Sequence, residues 1–207
     1  MSGALRIAIL GAESTGKTEL ARALAAQLAA RTGMRCTWVG EWLRDWCERE
    51  GRTPRADEQA AIARTQQAHI DAAAAAHDIV VCDTTAVMTA VYSELIFGDR
   101  SLAAYAAVEQ RRCDLTLLTA LDLPWVADGL QRDGPHVREP VDAGLRALLA
   151  AHGLRWTRIA GSGRARVEAA LDAAMALVSV PPGRPEGTER PKGPEGAPEW
   201  PWGQRTK

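Results

Sequence analysis

Eight consecutive residues carry the clearest chemistry in this chain: Gly11-Ala12-Glu13-Ser14-Thr15-Gly16-Lys17-Thr18. Their spacing is G-x-x-x-x-G-K-[ST], a P-loop that wraps backbone N–H groups around phosphate oxygens. Gly11 and Gly16 permit backbone conformations that a Cβ would hinder. Glu13, Ser14 and Thr15 complete the loop. Lys17 brings a cation to the β- and γ-phosphates of ATP, and the Thr18 hydroxyl is a ligand for Mg²⁺. Composition singles out Lys17 again. Before residue 180 every other basic residue is arginine; the remaining lysines are Lys192 and Lys207.

Two carboxylates follow at the ends of apolar runs. Cys36-Thr37-Trp38-Val39-Gly40 leads into Glu41, and Ile79-Val80-Val81-Cys82 ends in Asp83. In parallel α/β sheets ligands bind beyond the carboxyl ends of the strands, which brings both acids beside the P-loop. Asp83 has the form of the acid that helps hold the Mg²⁺ shell, and capping of the next helix is a compatible role. Thr84 and Thr85 offer hydroxyls to the same crevice. Glu41 reads as a carboxylate that takes a substrate hydroxyl's proton or bonds a ribose. Taken alone, it reads rather as a solvated acid in the first turn of a helix, favoured by the dipole.

A third stretch, Asp122–Arg138, leaves the fourth strand, carries Trp125 and then becomes rich in glycine and charge. This is the expected lid. Arg132 and Arg138 are candidates for stabilising a transferring phosphoryl group, or are solvated loop arginines. Trp125 stacks on a flat heterocycle or packs beneath the loop. Gly161 and Ser162, before the last helix, fall where an adenine is cupped.

The elements that must position these residues read in order. Leu5–Leu10 is a short buried strand, and Thr18–Thr32 carries Leu20, Leu24 and Leu28 at helical spacing. Helices follow at Asp57–Ala76, Thr85–Phe97, Leu102–Arg112, Pro140–His152 and Arg164–Val178, with strands at Asp114–Thr119 and Arg155–Ile159. The expected fold is α/β: a three-layer P-loop NTPase with a mainly parallel five-stranded sheet and a lid segment.

Bulk properties narrow the class. The chain has 207 residues, with 25 basic and 26 acidic side chains. That balance argues against a general nucleic-acid surface, which needs a basic excess. Four cysteines, at 36, 47, 82 and 113, show no C-x-x-C pair, so buried free thiols are expected rather than a zinc site. His69 and His77 are expected to face solvent. No signal peptide opens the chain and no apolar run is long enough to span a membrane, which predicts a cytoplasmic protein. Seven of the eleven prolines lie from Pro181 onward. The expectation is therefore a kinase domain over 1–180 and a disordered tail over 181–207, whose Trp200 and Trp202 read as solvated residues of a Pro-rich tail, with docking on a protein partner or back on the domain as the alternatives.

Taken together, the segments GAESTGKT (Gly11–Thr18), EWLRD (Glu41–Asp45), CDTT (Cys82–Thr85), YSE (Tyr92–Glu94) and DLPWVADGL (Asp122–Leu130) resemble the ribosylnicotinamide kinase family, the kinase part of NadR-type proteins. The resemblance covers about residues 4–178. It implies transfer of the ATP γ-phosphoryl group to the 5′-hydroxyl of nicotinamide riboside, a small-molecule nucleoside, for NAD synthesis. It carries Lys17, Thr18 and Asp83 to the phosphate and Mg²⁺ roles. It carries Glu41, Arg44, Thr84, Tyr92, Trp125 and Asp128 to the substrate side. Family members often carry a DNA-binding module and an adenylyltransferase domain before the kinase; with a first strand at about Leu5, neither is expected in this chain. The family's D-G-L-R run is altered here: Gln131 stands in the arginine place and Arg132 follows.

Overall fold

The computed structural model describes residues 3–126 and 134–178. Among these, five strands form one sheet: β1 (Leu5–Leu10), β2 (Cys36–Val39), β3 (Ile79–Asp83), β4 (Leu115–Thr119) and β5 (Thr157–Ile159). Their spatial order is β2-β3-β1-β4-β5, and every pairing is parallel. Parallel neighbours need crossover connections, and seven helices supply them. These are α1 (Lys17–Thr32), α2 (Trp42–Glu50), α3 (Gln59–Ala76), α4 (Ala86–Phe97), α5 (Ala103–Gln110), α6 (Arg138–Ala151) and α7 (Gly163–Val178).

The alternation of β1 builds both faces of the core. Ile7 and Ile9 point to one face and meet Leu20, Leu24 and Leu28 of α1 and Ala170, Leu171 and Ala174 of α7. Leu10 and Leu118 point to the other face and meet α4 and α6 through Val87, Val91, Leu145 and Leu149. β3 is buried at all five positions, which suits a strand covered on both sides. The sheet crevice therefore opens at the C-terminal ends of β1, β2 and β3, between the two helix layers.

Several boundaries differ from the sequence reading. The long helix α3 starts at Gln59, after a 3₁₀ turn over Ala56–Glu58. Glu58 holds that turn by accepting from Arg55 N at 2.8 Å and from both arms of the Arg52 guanidinium at 2.7 Å. The sixth helix begins at Arg138, not at Pro140. Pro135 opens a 3₁₀ turn that feeds it. Pro140 falls in the first helical turn, where its missing N–H leaves nothing unpaired. β5 is confined to Thr157–Ile159. The four cysteines are free, Cys47 and Cys82 fully buried. His69 is exposed and meets the Trp42 ring edge-on at 5.1 Å between centroids. His77 is half-buried, its Nδ1 2.9 Å from Ala73 O. No helix among the described residues is long and apolar enough to cross a membrane. The expected tail, with Trp200 and Trp202, lies outside the described residues, as do Asp128 and Arg132.

Candidate active site

The P-loop runs from the end of β1 to the start of α1. Gly16 caps α1 in the left-handed conformation, at φ 73° and ψ 24°. Gly11 has φ +154°, and a Cβ there would lie 1.9 Å from Thr119 Oγ1. That hydroxyl belongs to the loop's framework: Thr119 Oγ1 lies 2.7 Å from Thr15 Oγ1 and 3.1 Å from Leu10 O. Thr15 Oγ1 in turn donates to Ala12 O at 2.8 Å. Gly11→Ala is therefore expected to destabilise the fold by roughly 1–3 kcal/mol from the backbone alone and to displace Thr119. Urea denaturation read with nucleotide binding checks it; an alanine variant of parental stability would refute the steric argument.

Lys17 folds over the loop, its Nζ donating to Ala12 O at 3.0 Å. The Thr18 hydroxyl donates to Asp83 Oδ2 at 2.5 Å. Asp83 is 1% exposed, and its Oδ1 is buried with no hydrogen-bond partner among the described residues. A buried carboxylate oxygen of this kind costs free energy unless something positive meets it. A divalent cation held by Thr18 and Asp83, its other positions filled by phosphate oxygens and water, fits this donor set. Among the described residues no cluster of three or more His, Cys, Asp or Glu would hold a metal on its own.

Asp83 does not cap the next helix. Thr85 does, its Oγ1 accepting from Val87 N at 3.3 Å. The same hydroxyl donates to Gln110 Oε1 at 2.7 Å, and Gln110 Nε2 donates to Thr116 Oγ1 at 2.8 Å. This buried chain leaves the Asp83 carboxylate to Thr18. Between them Thr84 sits at φ 71°, its N–H donating to Ile9 O at 3.1 Å. A β-branched residue in that region is strained, and such strain gathers at functional sites.

Glu41 is the N-cap residue of α2, but its side chain makes no capping bond. It is half-buried, which sets aside the solvated first-turn acid. Burial raises its carboxyl pKa above the usual range; Lys17 opposes the rise, Asp83 adds to it, Arg44 opposes it and Glu13 adds to it. Glu41 thus shares one electrostatic neighbourhood with Lys17, Asp83, Arg44 and Glu13. Gln66 of α3 holds its backbone from both sides: Nε2 donates to Gly40 O at 3.1 Å, and Oε1 accepts from Trp42 N at 2.7 Å. Tyr92 reaches the same wall, with its hydroxyl 3.4 Å from Glu13 Oε1.

The chain after β4 lies on the P-loop at Val126. Ser14 Oγ is 3.0 Å from Val126 O and 3.2 Å from Val126 N. Trp125 is half-buried, and its indole Nε1 is buried with no hydrogen-bond partner among the described residues. Arg138 is not a solvated loop residue: it is 9% exposed at the start of α6, and its Nη2 donates to Leu123 O at 2.9 Å. It ties the start of α6 to the chain after β4, because α6 begins two residues earlier than the sequence indicated. Gly161 and Ser162 are exposed in the β5–α7 loop, with Gly161 N donating to Asp122 Oδ2 at 2.6 Å.

Gln66 and Arg166 escaped the sequence reading as site residues. The signal for both is a polar residue on the buried stripe of an amphipathic helix. Gln66 lies between Ile62 and Ile70, and Arg166 lies one turn before Ala170.

A parallel sheet in this order, with a P-loop after β1 and strand-end carboxylates facing its lysine, defines a P-loop nucleotide-binding protein with a kinase-like fold. The chain belongs to the family described as AAA domain, whose profile matches residues 6–166. Among solved structures it is similar to NadR protein in complex with NR, with a TM-score of 0.71 and 22% identity over 89% of this chain and 54% of that chain. NadR protein in complex with NAD and AMP-PNP matches with a TM-score of 0.68 and 21% identity, over 89% of this chain and 52% of that one. Thymidylate kinase from Ehrlichia chaffeensis matches with a TM-score of 0.55 and 15% identity, over 86% of this chain and 100% of that one. The chain spans about half the length of the NadR chains it matches. No curated protein matched. At these identities the likeness is one of fold.

Proposed function

We propose that this chain is an ATP-dependent kinase that phosphorylates the 5′-hydroxyl of nicotinamide riboside, giving nicotinamide mononucleotide. Residues 1–180 form the kinase domain in this reading, and 181–207 are an appended tail. The observation that carries it is the meeting of Lys17, Asp83 and a desolvated Glu41 in one crevice. Lys17 and Asp83 serve the nucleotide; a desolvated carboxylate beside them is placed to orient and deprotonate an attacking hydroxyl, and the acceptor panel below separates an alcohol from water.

The chemistry balances on these residues. ATP lies with its phosphates in the loop, and Lys17 leaves Ala12 O for the β- and γ-oxygens. Mg²⁺, held at Thr18 and Asp83, supplies charge neutralisation when bound. Glu41 accepts the proton of the acceptor hydroxyl. The acceptor oxygen bonds to the γ-phosphorus as the bond to the β–γ bridging oxygen breaks, and ADP departs with that electron pair. Glu41 serves as the base because Asp83 is already engaged by Thr18. Arg44, Tyr92 and Trp125, with Thr84 and Asp128, form the acceptor side; Arg132 and Arg138 serve the lid.

The test is a phosphorylation panel with the purified chain and ATP. Nicotinamide riboside is set against uridine, adenosine, thymidine and thymidine monophosphate. The expected outcome is a kcat/KM for nicotinamide riboside at least about tenfold above the rest, a margin set by polar groups that match one base. Preference for another nucleoside would move the substrate. ATP hydrolysis with no acceptor phosphorylated would replace the kinase with a regulatory NTPase.

A further inference from the structure

The most connected buried side chain near the P-loop lies outside the motif. Arg166 is in the first turn of α7 and is 3% exposed. One arm of its guanidinium, Nη2, donates to Thr15 O at 2.9 Å and approaches Ala120 O at 3.4 Å. The other, Nη1, donates to Asp122 Oδ1 at 2.8 Å and to Gly161 O at 2.5 Å. Asp122 closes the circuit by accepting from Gly161 N at 2.6 Å. One cation thus joins the P-loop, the end of β4 and the β5–α7 loop.

The position is costly in two ways. A cation in the first turn of a helix opposes the helix dipole. A buried charge also needs a partner, and Asp122 is the carboxylate that supplies it. Burial works against the Asp122 charge, yet the Arg166 and Gly161 bonds outweigh it and hold its carboxyl below the usual range. An ordinary packing role would be met by an apolar residue, as Ala170 and Ala174 meet it further along the same stripe.

The bond to Thr15 O explains what the arrangement accomplishes. Across a trans peptide the C=O and the following N–H point in opposite directions. Holding Thr15 O toward α7 therefore turns Gly16 N–H away from α7 and into the loop, where a phosphate oxygen binds. We infer that Arg166, paired with Asp122, is a positioning residue that presets the Thr15–Gly16 peptide for the triphosphate and ties it to the β5–α7 loop. This rests on the reading that a nucleoside triphosphate occupies the P-loop, but not on the identity of the acceptor.

The test uses the full chain and calorimetric titration with AMP-PNP, tripolyphosphate and adenosine, on the parent, Arg166→Lys, Arg166→Met and Asp122→Asn. Lysine keeps the charge but lacks the fork that spans two partners. Both Arg166 variants are expected to bind tripolyphosphate and AMP-PNP at least about tenfold more weakly, the loss of one charge-assisted bond. Adenosine binding is expected to fall by a clearly smaller factor, because the β5–α7 loop loses one tie at Gly161 O while the P-loop loses the bond that orients its peptide. Asp122→Asn preserves shape and is expected to weaken tripolyphosphate by a smaller factor in the same direction. Should Arg166→Met fail to fold, Arg166→Lys and Asp122→Asn decide the matter. Unchanged tripolyphosphate binding in a folded variant overturns the inference, and so does an equal loss of adenosine. A parent chain that binds neither AMP-PNP nor tripolyphosphate removes the nucleotide reading itself.

Discussion

Lys17→Ala is expected to lower phosphoryl transfer by about a thousandfold while leaving the circular dichroism spectrum and melting point near those of the parent. The two halves of this expectation have separate grounds. Lys17 is half-buried, and its Nζ donates to Ala12 O, a contact the folded chain can lose to water at little cost. In the transition state the same ammonium faces charge that has spread over the γ-phosphoryl oxygens, in a crevice walled by the sheet. An electrostatic contact made there is worth far more than one in water. A steady-state assay with saturating acceptor measures the loss. An alanine variant with near-normal turnover would sink the kinase reading as a whole, since no other lysine precedes residue 180.

Glu41→Gln should cut turnover by about two to four powers of ten, the span of a lost general base. The glutamine keeps the size of the side chain, so the acceptor KM stays close to the parent value. The pH dependence follows from the raised carboxyl. Glu41 must be ionised to accept a proton, so parental activity rises as pH climbs through its pKa. That rise is expected to centre above about 4.3, where an unperturbed glutamate titrates, and to vanish in the variant. Stability runs the other way. A carboxyl whose pKa is raised by folding favours the folded state at low pH, and that contribution is lost as pH rises through the folded value. At pH 8 the partly desolvated charge is a liability, and Glu41→Gln is expected to melt higher than the parent there. The two melting points converge near pH 4, where both side chains are neutral. A variant that melts lower than the parent at pH 8, with its rate intact, would return Glu41 to a structural role.

The exposure of the site to sequence reading was uneven, and the reason is range. The P-loop is a local device: its glycines, lysine and threonine act through backbone and side chains within eight residues, so spacing alone specifies the chemistry. Strand ends are nearly as local. An apolar run that stops at an acid says both where the strand finishes and where the acid points, which is why Glu41 and Asp83 were legible. Asp83 as a helix cap was an open alternative because the sequence offers both Asp83 and Thr85. Packing settled it, with Gln110 drawing the Thr85 hydroxyl into a buried chain. Arg138 was read as a loop residue for a similar reason. Pro140 looked like the helix start, whereas Pro135, earlier in the chain, already shapes it.

The residues that hold the site were silent because their partners are distant. Gln66 grips Gly40 and Trp42 across 26 and 24 residues, and Arg166 reaches Thr15 across 151. No period or motif encodes such pairs; a polar residue on an apolar stripe is the only trace they leave. The sequence by itself determined the parallel α/β class, the phosphate cradle and the two strand-end acids, because these follow from periodicity and from groups close along the chain. Tertiary structure decided which carboxylate is engaged by Thr18, which is desolvated, and which buried cation grips the Thr15 carbonyl. Burial and charge neighbourhood are properties of the folded surroundings, and they arise only when strands far apart in sequence lie side by side.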